Sequence, residues 1–160
     1  MGEFFVEFRP KGGSLHRTTG CLARIAALKC QNALTDETVG AELTIAEREY
    51  FWNPGPAEHA AWNAHWFATP LPQRHSPEMA MPGWDFGSMV DALAGAEFDI
   101  KGVVSADGGY RLMFDPASYP FGGTGCLVAL LECLNNEVVA VNDGTGLATY
   151  VQPRRWKFQR

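Results

Sequence analysis

The run Tyr119-Pro120-Phe121-Gly122-Gly123-Thr124-Gly125-Cys126 is the stretch whose residue types and spacing come nearest to chemistry. Glycines leading into a helix leave free backbone amides at its start, and those amides, with the helix dipole, attract anions. Gly123, Thr124 and Gly125, in the turn Gly122–Gly125, are therefore the candidate anion-binding residues. Cys126 could serve as a nucleophile if its thiol pKa were lowered and a base stood beside it. His16, His59, His65 and His75 are the available bases, and nothing in the sequence selects one. No lysine follows the glycines, as a nucleotide phosphate loop requires, and the spacing departs from a dinucleotide fingerprint. The competing reading is structural: a tight turn brings a buried helix close to a sheet, with Cys126 as a small core residue.

Other reactive groupings are weaker. His59 and His65 are six residues apart and do not share a helix face, so with His75, Glu58 and Glu78 they make a poor metal set. No metal and no cofactor is expected. Glu47, Glu49, Asp85 and Asp91 have no spacing that marks them as a catalytic carboxylate pair. Cys21, Cys30, Cys126 and Cys133 lie in apolar stretches without a C-x-x-C pair, which argues for free thiols rather than zinc ligands or disulfides. The aromatic concentration between Tyr50 and Phe86 is more informative. Tyr50, Trp52, Trp62, Trp66 and Trp84, with Glu47, Glu49 and Asp85 around them, form a candidate partner-binding set, because protein interfaces favour Trp and Tyr anchors. The alternative is a second small core beneath a long loop.

The elements that must carry these residues read as an α+β fold. Phe4–Arg9 alternates as a strand. Thr18 or Thr19 can cap a helix running to about Ala33. Glu42–Trp52 reads as a bent strand, and Ala57–Phe67 as a short helix after Pro56. Residues 68–87 show no period and contain Pro70, Pro72, Pro77 and Pro82, which predicts a long irregular loop. Ser88-Met89-Val90-Asp91 opens a helix to about Glu97. Asp99–Ser105 and Gly109–Asp115 form a hairpin around Asp107-Gly108, a primed-turn signal. Cys126–Leu134 is a helix with almost no polar face, hence central and buried. Glu137–Val141 and Leu147–Val151 make a final hairpin. The fold expected is a mainly antiparallel sheet with two or three helices on one face, in a single domain spanning 1–160. An internal repeat is a further expectation: Phe8-Arg9-Pro10 leads to Thr19-Gly20-Cys21-Leu22 as Phe114-Asp115-Pro116 leads to Thr124-Gly125-Cys126-Leu127.

Charge narrows the function. The net charge is −5 over 160 residues, but it is unevenly spread. Residues 1–31 carry five bases against two acids, residues 32–143 four against sixteen, and the last seventeen residues four bases and no acid. An acidic middle steers a basic partner by long-range attraction, while overall acidity disfavours binding to nucleic-acid phosphates. Hydrophobic residues make up 46% and charged residues 19%, which excludes a disordered chain or a coiled coil. No apolar run approaches the roughly 18 residues of a membrane span. Met1-Gly2-Glu3-Phe4-Phe5 lacks the regions of a secretion signal, so a cytoplasmic location is expected. This profile resembles, in general character, that of bacterial inhibitor proteins, immunity proteins in particular, which neutralise a toxin by covering its active site. The resemblance implies a non-enzymatic protein whose acidic, aromatic face grips a basic toxin or enzyme. The rival is a small enzyme using Cys126 with a histidine and an anion held at Gly122–Gly125.

Overall fold

The computed structural model describes residues 3–117 and 123–159. The elements run β1 (Phe5–Pro10), α1 (Leu15–Cys30), α2 (Asp36–Glu42), α3 (Ile45–Arg48), α4 (Pro56–Ala68), α5 (Leu71–Arg74), α6 (Phe86–Gly95), β2 (Phe98–Ala106), β3 (Gly109–Pro116), α7 (Gly125–Cys133), β4 (Asn136–Asn142) and β5 (Leu147–Thr149). The five strands form one antiparallel sheet in the order β2-β3-β1-β4-β5. The α+β reading is therefore right, with both hairpins present. They are not neighbours, however: the N-terminal strand lies between them and pairs with β3 on one side and β4 on the other. The β2–β3 turn also differs from the primed type. Gly108 takes φ +77° while Asp107 is not among the positive-φ residues, whereas a type I′ turn needs both central residues there.

Directly paired residues share a sheet face. Val6, Phe8, Leu112, Phe114 and Val138 point into a core completed by Leu22 and Ile25 of α1, Met89 and Leu93 of α6, and Leu127, Leu130 and Leu131 of α7. On the opposite face Arg111 lies over the Phe5 ring at 4.1 Å and donates from Nε to Glu7 at 3.1 Å. The apolar α7 is buried along nearly its whole length, as its sequence requires. Among the described residues, no helix is long and apolar enough to cross a membrane.

Three boundaries need correction, each for a local reason. Helix α1 starts at Leu15 because the Ser14 side chain accepts from the Arg17 amide; Thr18 is not a cap but a fully buried residue inside the helix. Glu42–Trp52 is not a strand. Thr44 and Glu47 cap one another reciprocally to start α3, a Thr-x-x-Glu signal that outweighs the apparent alternation. The expected loop at 68–87 contains the single-turn α5 and the first residues of α6. That helix opens earlier than Ser88, because Asp85 accepts from both the amide and the hydroxyl of Ser88. The two Thr-Gly-Cys-Leu segments sit differently: Thr19 lies inside α1, while Thr124 flanks the start of α7 without a side-chain cap bond.

One buried polar residue locks the core helices to the sheet. Asn136 donates from Nδ2 to Thr18 Oγ1 at 3.0 Å, to the Leu131 carbonyl at 3.0 Å and to the Leu134 carbonyl at 3.3 Å. Two of the three partners are carbonyl oxygens, which can only accept, so a carboxylate there would be repelled by both and could bond only the Thr18 hydroxyl. Asn136→Ala is expected to cost about 1–3 kcal/mol in denaturant unfolding, the range for stranding buried polar partners. Asn136→Asp, closer in shape, is expected to cost more than Asn136→Ala; the reverse order would show that these bonds do not set the geometry.

Candidate functional site

A ridge built from two distant segments organises the surface around α7. Phe51, just after α3, is buried, with its ring against Tyr50 at 5.1 Å and against Phe86 at 5.4 Å. The Trp52 amide donates to the Trp84 carbonyl at 2.9 Å, which ties residues 50–53 to 81–86. The chain after β5 closes over both. The Met81 amide donates to the Arg154 carbonyl at 3.2 Å and the Trp156 amide to the Met81 carbonyl at 2.9 Å. Arg155 donates from Nη1 to the Tyr50 carbonyl at 2.8 Å, with its guanidinium 4.3 Å from the Tyr50 ring centroid. Its other face abuts Gly83, where an added Cβ would come within 3.1 Å of Cζ. That residue's lack of a side chain and its φ of +90° are what admit the arginine.

On one side of this ridge lies an open groove of about 700 Å³. Asp36, Glu49 and Asp85 bring negative charge to it against one positive charge, Arg48, with Ile45, Trp52 and Phe86 as its apolar surfaces. Asp36 and Asp85 converge over Gly87: their carboxylate oxygens lie 3.4 and 3.6 Å from the point a Gly87 side chain would occupy. Hydrogen bonds from Ser88 hold the Asp85 carboxyl below the usual carboxylate range, so it stays charged. Ile45 is 82% exposed. Trp52 stacks on His59 at 6.1 Å, and its buried indole N–H has no hydrogen-bond partner among the described residues.

On the other side is a more apolar cavity of about 530 Å³, between α7, the 81–85 segment and the chain after β5. Val128, Ala129, Val141, Trp84 and Tyr150 wall it, and Glu132 of α7 projects into it. Glu132 accepts from the Tyr50 hydroxyl at 2.9 Å. Burial pushes the Glu132 carboxyl above its ordinary value against the opposing pull of that hydrogen bond and of Arg155. Burial likewise pushes the Tyr50 phenol up, and the Tyr150 phenol up to about 12.

The residues singled out from sequence fall in four places. Glu49, Trp52 and Asp85 meet in the acidic groove, and Tyr50, Trp84 and Asp85 line the apolar cavity. Glu47 belongs to neither: it accepts from Arg17 Nε at 3.1 Å and Nη2 at 2.6 Å and from the Thr44 amide at 2.8 Å, so its carboxylate builds the fold. Trp62 and Trp66 sit in a separate aromatic stack, 5.8 Å apart, with Trp156 against Trp62 at 5.3 Å and Arg74 over Trp66. Of these tryptophans only Trp62 is buried; Trp66 and Trp156 are half-buried, and the stack lies outside the main core.

The thiol and the glycine turn fare differently from their functional readings. Cys126 is 2% exposed, and burial pushes its thiol up to about 11, the reverse of nucleophile activation. His59 and His65 stack on Trp52 and Trp156, while His16 and His75 are exposed. Gly122 lies outside the described residues. Gly125 backs onto the Trp84 indole, whose Cζ2 stands 3.1 Å from the site of an added Cβ, so a ring occupies the space beside the start of α7. Among the described residues, no three His, Cys, Asp or Glu side chains are grouped to hold a metal ion. Sequence reasoning passed over Glu132, although a lone acid in an otherwise apolar helix was the available signal. It also passed over Asp36, Ile45 and Arg155, whose roles depend on contacts between remote segments. Comparison with protein-family models, curated proteins and solved structures returns no match.

The raised Glu132 carboxyl fixes a pH dependence. A group whose pKa is higher folded than unfolded favours the fold below the unfolded value, and that contribution is lost as pH rises through the folded value. Ionised Glu132 is therefore a cost near neutrality. Glu132→Gln, which keeps an acceptor for Tyr50, is expected to raise the melting temperature at neutral pH. The gain should shrink as pH falls from neutrality towards the ordinary carboxyl value of 4.5 and be gone below it. A gain independent of pH would show that the carboxyl is not the cause.

Proposed function

We propose that this chain is a non-enzymatic binding protein of the immunity type, which neutralises a basic toxin or enzyme by covering its functional surface. The observation that carries the reading is the groove beside α3, where Asp36, Glu49 and Asp85 outnumber the one base, Arg48, whose guanidinium lies over the Phe86 ring and makes no ion pair with them among the described residues. Structural ion pairs elsewhere, such as Arg17 with Glu47, use their acids internally. In the groove the charge stays available to a lysine or arginine of a partner. Ile45 and Trp52 add apolar surface at the same place, Ile45 at 82% exposure. The division of labour follows from physics: unscreened surface charge accelerates encounter, and desolvated apolar contacts slow release. The burial of Cys126, which disfavours its thiolate, supports a binder over a Cys/His enzyme.

The test is stopped-flow association with a purified basic protein partner, beginning with the product of a neighbouring gene. The double variant Asp36→Lys/Glu49→Lys is expected to slow association by about tenfold at low salt, with the difference fading as salt rises. Ile45→Ala is expected to speed dissociation while leaving association nearly unchanged. Association indifferent to both charge reversals would overturn the assignment of this groove.

A further inference from the structure

The cavity on the α7 side of the ridge has a different character from the acidic groove, and protein docking does not account for it. At about 530 Å³ it falls within the usual range for small-molecule sites, roughly 300–1,000 Å³, and like them it is largely apolar with a few placed polar groups. Those polar groups balance. Two acidic residues, Glu132 and Asp85, and two arginines, Arg154 and Arg155, line the same space. A ligand with net charge meets attraction from one pair and repulsion from the other. A neutral ligand meets neither penalty, provided that it offers both a donor and an acceptor.

The available hydrogen-bonding capacity has that dual form. Glu132 accepts one bond from Tyr50, and a carboxylate has room for several more. Arg155 spends Nη1 on the Tyr50 carbonyl, and a guanidinium has five N–H donors. Tyr50 thus holds an acceptor through its hydroxyl and a donor through its carbonyl and ring, which keeps both in fixed positions. The remaining walls suit a flat apolar body. Trp84 and Tyr150 supply aromatic surface, Val128 and Val141 aliphatic surface, and rings pack favourably on both.

From this juxtaposition we infer that the cavity binds an uncharged planar nitrogen heterocycle, with an N–H donor directed to Glu132 and an adjacent ring or carbonyl acceptor directed to Arg155. This is the edge pattern of a purine or pyrimidine base. The inference does not rest on the protein-binding reading, which concerns the groove across the ridge.

The experiment is isothermal titration of the full chain near neutral pH with hypoxanthine, adenine and uracil. Indole, which has the donor and the flat body but no acceptor, is the control. At least one of the three bases is expected to bind, and to bind about tenfold or more tightly than indole, as one charge-assisted hydrogen bond implies. Glu132→Ala is expected to weaken that binding by about tenfold or more. Val128→Phe, which fills the cavity from α7, is expected to abolish it; circular dichroism checks that this variant folds, and Glu132→Ala decides if it does not. No binding by any base would overturn the inference. So would equal binding of indole, or affinity unchanged in Glu132→Ala.

Discussion

The contacts of Arg155 set the shape of the half of this molecule that carries both concavities. One side chain from the chain after β5 bonds the Tyr50 carbonyl, covers the Tyr50 ring and fills the space left by Gly83. Those contacts join three segments that are far apart in sequence. The ridge they hold separates the acidic groove from the apolar cavity, and both concavities have Asp85 in their lining. Without the arginine, the single Trp52–Trp84 hydrogen bond would be left to join the 50–53 and 81–86 segments, and it would open with the ridge.

Beneath the ridge, the core does what its sequence requires of it. Helix α7 is apolar enough to be buried on nearly all sides, and Asn136 fixes its end to α1 by bonds donated from its amide nitrogen. A rigid α7 gives Glu132 a defined place. The same low-dielectric surroundings that make α7 a good core helix are what raise the Glu132 carboxyl. Position and chemistry thus have a common origin in burial.

Legibility from sequence followed the range of the interactions. Hairpins at Asp107-Gly108 and Asp143–Gly146 are local events, and turn chemistry announced them. The placing of β1 between those hairpins depends on pairings across more than a hundred residues, which no local pattern encodes. Misreading 42–52 as a strand came from weighting alternation above the Thr44–Glu47 capping pair. Glu47 looked like a free surface acid because its partner, Arg17, lies thirty residues away on another helix. Trp62 and Trp66 were seen as part of an aromatic concentration, but composition could not say that they stack with Trp156. Arg155 looked like one more base in a basic tail; only the fold shows what it grips.

Amide hydrogen exchange of the Arg155→Gln variant against the unaltered chain tests the clamp most directly. If the arginine holds the ridge, the amides of Trp52, Met81 and Trp156 lose protection together, while those of β1 and α7 keep theirs. Loss confined to residues after β5, with Trp52 as protected as before, would contradict it.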